Sequence, residues 1–269
     1  MWFLTLVLGA ALLYAALVLV TALFQTRMLF PARMAASNRP LLPLSAERLE
    51  LTTPDGERLV GTRLGNASGT KPLLLGFGGN AWNADAVALT LHGLFPDHEV
   101  IAFHYRGYPP SSGEPSAKAL FADALTIVDH LQQDRSRPVV AVGFSIGSGV
   151  AAYLAHQREV AGLILVTPFD SLKALAREHF SWAPTSLLLR HHMPTIDLVK
   201  DRPTPTALIA AGRDSIVPAR RSEPLRSAVP NLVLDRTITD AGHNDLYQRP
   251  AFAVAMREAV AAFEATASR

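Results

Sequence analysis

The sequence predicts an α/β architecture, a mostly parallel central sheet with helices on both faces, preceded by a helix long enough to cross a membrane. Three observations predict it. Short, continuously apolar runs at 72–77, 139–142, 162–166 and 206–211 are what strands covered on both faces look like. Segments with apolar residues at helical spacing separate those runs, and strict alternation of the two element types builds a parallel sheet. The first 26 residues carry no charged side chain.

Trp2 to Phe24 has no charged residue and is predominantly apolar. At 1.5 Å per residue, such a helix spans a hydrocarbon core of about 30 Å. A cleaved leader has a basic start and a shorter apolar run, and this stretch has neither. Residues 1–26 are therefore expected to be a single-pass transmembrane anchor. Arg27, Arg33, Arg39 and Arg48 follow it. By the positive-inside rule they put the remaining chain on the cytoplasmic side, with the extracytoplasmic side as the alternative, since large domains translocate regardless of flanking charge. Residues 27–45, with Pro31, Pro40 and Pro43, read as an extended linker over the membrane surface. The domain proper is expected over 46–269.

Glu47–Thr53 and Arg58–Leu64 flank the turn Pro54-Asp55-Gly56 and read as an antiparallel pair at a sheet edge. The strand Pro72–Phe77 ends in Gly78-Gly79-Asn80, and a helix follows from Asp85 to Phe95. The strand Glu99–His104 leads into a turn-rich loop, Tyr105 to Pro115. Ser116 is a candidate N-cap for a helix buried through Leu120, Ala124, Ile127, Val128 and Leu131. The next strand enters Gly143-Phe144-Ser145-Ile146-Gly147, and its helix runs to about Gln157. Residues 171–201 break the rhythm after the strand Gly162–Val166 and read as a small helical cap over the site. The pattern resumes with the strand Thr206–Ala211, a helix from about Ala219, the strand Leu232–Leu234 and a closing helix from Ala251 to about Ala265.

G-x-S-x-G between a strand and a helix is a nucleophile elbow, a strained turn that presents the serine at a helix N-terminus. Ser145 is the candidate nucleophile. It needs a base, and the base an orienting acid, on loops beyond later strands. His243, after the last strand, is the candidate base. Asp214, in Gly212–Pro218 after Ala211, is the candidate acid, with Asp240 as the alternative. The candidate oxyanion donors are the backbone N–H groups of Ile146, after the nucleophile, and Asn80, after the Pro72–Phe77 strand.

Composition excludes other chemistries. There is no cysteine, so thiolate catalysis, disulfides and Cys-ligated zinc are ruled out. The formal charge is +2 and no basic run suits nucleic acid. Arg213, Arg220, Arg221 and Arg226 read as a solvated helix face. Gly147–Ala152 fits G-x-G-x-x-A with Asp170 downstream, but its first glycine lies three residues past the strand, too late for a dinucleotide turn. Gly78-Gly79-Asn80 lacks the Lys-Ser/Thr of a phosphate loop. His179, His191 and His192 give no metal-ligand spacing. No cofactor or metal is expected.

The motifs Phe77–Asn83, His104–Ser116, Gly143–Gly147, Gly212–Pro218 and Gly242-His243-Asn244 jointly resemble the serine-hydrolase branch of the α/β-hydrolase superfamily, in particular its membrane-anchored, Bem46-like α/β-hydrolase domain-containing proteins. The resemblance covers nearly the whole chain. It implies an α/β-hydrolase fold and the Ser145–His243–Asp214 triad. It departs at Gly78, where that group has His, and at Trp82, where it has Gly. The resulting expectation is a membrane-anchored serine hydrolase for carboxylic esters or thioesters. Its apolar cap and tether favour acyl or lipid-like substrates. The alternatives are a serine peptidase of the same fold and a non-catalytic, membrane-tethered interaction module.

Overall fold

A computed structural model describes residues 1–37, 39–65, 71–133 and 137–267. Helix α1 spans Trp2–Leu29 and α2 spans Ala32–Ser37. Strands β1 (Glu47–Thr52), β2 (Arg58–Leu64) and β3 (Leu73–Phe77) precede α3 (Ala84–Leu94) and β4 (Val100–Phe103). Then follow α4 (Ala117–Gln133), β5 (Val139–Phe144), α5 (Ile146–Gln157) and β6 (Gly162–Val166). The cap segment contains α6 (Leu172–His179), α7 (Thr185–Leu188) and α8 (Thr195–Val199). The chain closes with β7 (Thr206–Ala211), α9 (Ala219–Ala228), β8 (Leu232–Ile238), a 3-10 turn (Leu246–Gln248) and α10 (Pro250–Ala267).

The eight strands form one sheet in the order β1-β2-β4-β3-β5-β6-β7-β8. β1 and β2 pair antiparallel, as do β2 and β4, and every other pairing is parallel. Both residue parities of β3 to β7 are therefore buried, which explains their unbroken apolar runs. One core packs α4, α5 and the cap on one face; the other packs α3 and α10 on the opposite face. The chain reverses its direction of travel across the sheet between β3 and β5. The crevice at the carboxyl ends of those strands is where open α/β sheets take ligands.

Two expectations need correction. The segment after the anchor is not an extended linker throughout: α1 continues to Leu29, and 32–37 is helical. Ala32, Arg33, Met34 and Ala35 are strong helix formers directly behind Pro31, and this outweighs the prolines as breakers. The segment also packs on the domain. Phe30 and Ala35 are buried, and the Asn83 side-chain amide donates to the Ala35 carbonyl at 3.1 Å. Strand β8 runs four residues past Leu234. It is an edge strand, and exposed Asp235, Arg236 and Thr237 hide its pattern while ion pairs to Arg226 and Glu258 cover it.

Candidate active site

Ser145 sits between β5 and α5 with φ 51° and ψ −116°, a conformation sparsely populated by any residue with a side chain. Its N–H donates to the Val166 carbonyl at 2.8 Å, so the ladder to β6 holds the turn in place. The flanking glycines are required by contact. A Cβ on Gly143 would lie 2.4 Å from the Gly147 oxygen, and one on Gly147 would lie 2.1 Å from the Phe77 oxygen. The elbow is thus wedged against the end of β3, which brings the Gly78–Asn80 loop beside the serine.

The structure brings Ser145, His243 and Asp214 together and leaves Asp240 out. His243 Nδ1 lies 2.7 Å from Asp214 Oδ2, and His243 Nε2 lies 3.0 Å from Ser145 Oγ. With Nδ1–H donating to the carboxylate, Nε2 is free to accept from the serine hydroxyl. The other carboxylate oxygen of Asp214 accepts from the Ile216 and Val217 N–H groups at 2.9 and 2.7 Å. The buried Asp214 side chain is therefore fixed at both oxygens. Asp240 is exposed and faces Arg249. The loop carrying His243 is braced in turn: the Gly242 N–H donates to Asp245 at 2.6 Å, and Asp245 pairs with Arg249.

The loop after β3 shows two residues that sequence reading did not single out. The Tyr105 hydroxyl donates to the Gly78 carbonyl at 2.8 Å, and the Tyr108 hydroxyl donates to the Asn80 carbonyl at 2.6 Å. The Gly79 carbonyl accepts from the Trp82 N–H. All three loop carbonyls are therefore committed elsewhere, which orients the peptide units carrying the candidate donors. Burial pushes both phenols up, so they remain O–H donors at neutral pH. The available signal was the pair of tyrosines spaced three apart in the Tyr105–Pro115 turn. Arg106, between them, pairs with Asp55 and Asp123 and ties that turn to β1–β2 and α4.

The Ile146 end of α5 and the Asn80 loop border a cavity of about 570 Å³ together with Ser145 and His243. Its walls are largely apolar: Trp82, Leu172, Leu175, Phe180, Ile216 and Tyr247. Trp82 packs edge-on against Phe144 and tilted against Tyr247, at 5.0 and 4.8 Å between ring centres. The cap is tied down over this cavity. Arg221 pairs with Asp170 and Glu178, Arg220 pairs with Glu178, and the His179 ring donates to the Ile216 carbonyl. Arg220 and Arg221, expected on a solvated face, are therefore partners of the cap. Asp170, the acid a dinucleotide site would need, is occupied by Arg221, and Gly149 packs on Met193.

Residues 73–196 match the family model described as alpha/beta hydrolase fold. An uncharacterized Mycobacterium tuberculosis protein, Rv2307c, is 38% identical over 200 residues, covering 72% of this chain and 70% of that one. The lysophosphatidylserine lipase ABHD12 of Gallus gallus is 35% identical over 100 residues, 35% of this chain and 25% of the lipase. Among solved structures, a bacterial membrane phospholipase A superposes with a TM-score of 0.64 at 16% identity, covering 98% of each chain. A strand-elbow-helix sheet, a helical cap and an apolar N-terminal helix, joined to these likenesses, lead to one assignment: the chain is a hydrolase of the α/β-hydrolase family, of the membrane α/β-hydrolase domain-containing type.

Proposed function

We propose that this chain is a membrane-anchored serine hydrolase that cleaves carboxylic esters or thioesters of acyl-chain lipids. The observation that carries the reading is the continuous relay from Ser145 through His243 to Asp214 at the edge of an apolar cavity. Ser145 Oγ attacks the acyl carbon while its proton passes to His243 Nε2. Asp214 stabilises the imidazolium and holds its tautomer. The carbonyl oxygen becomes an oxyanion, received by the Ile146 and Asn80 N–H groups and favoured by the N-terminus of the twelve-residue α5. Collapse expels the alcohol or thiol, which takes the proton from His243. Water, deprotonated by the same histidine, then attacks the acyl-enzyme and releases the acid and free Ser145. No cofactor enters any of these steps.

Lipid-like substrates are supported by the apolar cavity walls and by the likeness to a lysophosphatidylserine lipase. Residues 1–26 act as the anchor, 46–269 as the hydrolase unit and 171–201 as its cap. The arginines that follow the anchor put the hydrolase unit on the cytoplasmic side. The test is a panel of glycerol and lysophospholipid esters of increasing acyl length, presented to the full chain in detergent or nanodiscs. Turnover should rise from acetyl to long-chain esters. Equal turnover across the panel would remove the lipid assignment.

A further inference from the structure

The first helix is more than a tether. Along the second half of α1 the less exposed positions are Val18, Thr21, Ala22, Gln25, Thr26 and Leu29. Their spacing of three and four residues is that of one helix face, and that face meets the cap. The Tyr14 hydroxyl donates to the Trp182 carbonyl at 2.9 Å. Gln25 donates to the Leu188 carbonyl at 3.0 Å and accepts the Arg190 N–H at 2.7 Å. His191 lies 2.8 Å from the Thr26 hydroxyl. From Tyr14 to Gln25 this seam follows α1 for about 16 Å at 1.5 Å per residue, all of it within the charge-free stretch.

The seam is not closed. A groove of about 170 Å³ runs along it between α1 and α6–α7. Leu29, Ala176 and Phe180 line both this groove and the cavity at Ser145, so the two spaces share a wall. Of the groove's polar residues, Thr21, Gln25 and Thr185, the first two commit their polar atoms elsewhere. The Thr21 hydroxyl donates to the Leu17 carbonyl, and the Gln25 amide is used up on backbone of α1 and the cap. Beside the groove the cap exposes Trp182 and Leu187, the latter 85% exposed. Such side chains are unfavourable in water and favourable in lipid.

We infer that the groove between the anchor helix and the cap is a lateral entrance, through which the acyl chain of a bilayer-resident lipid ester reaches Ser145 without leaving the membrane. The occupant is an acyl chain because the groove is apolar, is parted from the candidate site only by the shared wall of Leu29, Ala176 and Phe180, and runs along the helix read above as the anchor. This rests on the hydrolase reading above and extends it: the anchor supplies part of the substrate-binding wall.

The entrance is tested in full-length protein in nanodiscs with two groove-filling variants, Ala22→Phe and Ala183→Trp. Their fold is checked by fluorophosphonate labelling. The readout is the ratio of kcat/KM for a palmitoyl ester to that for an acetyl ester. It should fall at least about tenfold in each variant, the worth of roughly two buried methylenes. A ratio unchanged within about twofold in both variants overturns the entrance. A second measurement is independent of turnover. A lysophospholipid with a diazirine at its acyl terminus, in nanodiscs with Ser145→Ala protein, should crosslink to residues 18–29 and 176–189. Crosslinks confined to other surfaces overturn the proposal. Absence of turnover and of labelling in the unsubstituted protein would sink the hydrolase reading instead, and the crosslinks would still decide the groove.

Discussion

Gly147→Ala probes how the elbow serves the site. The added methyl would lie 2.1 Å from the Phe77 oxygen and 2.6 Å from the Gly78 oxygen, both backbone. Ordinary contact begins at 3.4 Å, so β3's end and α5 must part by more than an ångström. That gap opens between the two candidate oxyanion donors, Asn80 on one side and Ile146 on the other. A misplacement of about 1 Å costs on the order of 100-fold in rate, close to the loss of one oxyanion donor. The expected outcome is a fall in kcat of about 100-fold, or ~2.7 kcal/mol in the barrier, with KM little changed. The assay is steady-state hydrolysis of a soluble ester, with thermal unfolding measured in parallel. A variant that keeps its thermal midpoint and loses less than about threefold in kcat would refute the reasoning.

Further outcomes follow from the same geometry. Tyr108→Phe removes the 2.6 Å bond to the Asn80 carbonyl and should lower kcat about fivefold, ~1 kcal/mol, leaving KM near its original value; a pure KM effect would contradict a role in orienting the loop. Arg106→Met leaves buried Asp123 without its partner and should cost about 3–5 kcal/mol of unfolding free energy in urea; a loss under about 1 kcal/mol would show the pair to be dispensable. Burial holds His191 below its ordinary range, with Arg190 and His192 adding to the effect. Its folded form therefore binds fewer protons than the unfolded one. The stability it contributes is present above about pH 6.5 and is lost as pH falls below that. Thermal midpoints measured from pH 7.5 to 5 should decline more steeply in the unsubstituted protein than in His191→Gln, and parallel slopes would exclude the histidine as a source.

Much of this was legible in the chain itself, for identifiable reasons. Doubly covered strands must be apolar at every position, so β3, β5, β6 and β7 stand out without any structure. The elbow was legible because close backbone approach demands glycine at 143 and 147. Chain order and strand ends then selected His243 and Asp214. What stayed hidden depends on contacts between distant segments. Nothing local says that Tyr105 and Tyr108 reach the Gly78–Asn80 carbonyls. The 32–37 helix was masked by its flanking prolines, and β8 by the polar residues of an edge. The anchor's docked face had a trace in sequence: Gln25 and Thr26 end the apolar stretch, and each makes a hydrogen bond to the cap.

The most direct measurement is covalent labelling with a fluorophosphonate probe, read by peptide mass spectrometry, on the unsubstituted protein and on Ser145→Ala and His243→Ala. An adduct on the peptide bearing Ser145, absent from Ser145→Ala and strongly slowed in His243→Ala, is the expected result. Equal labelling of all three proteins, or an adduct on another serine, would contradict a nucleophile at 145 activated by His243.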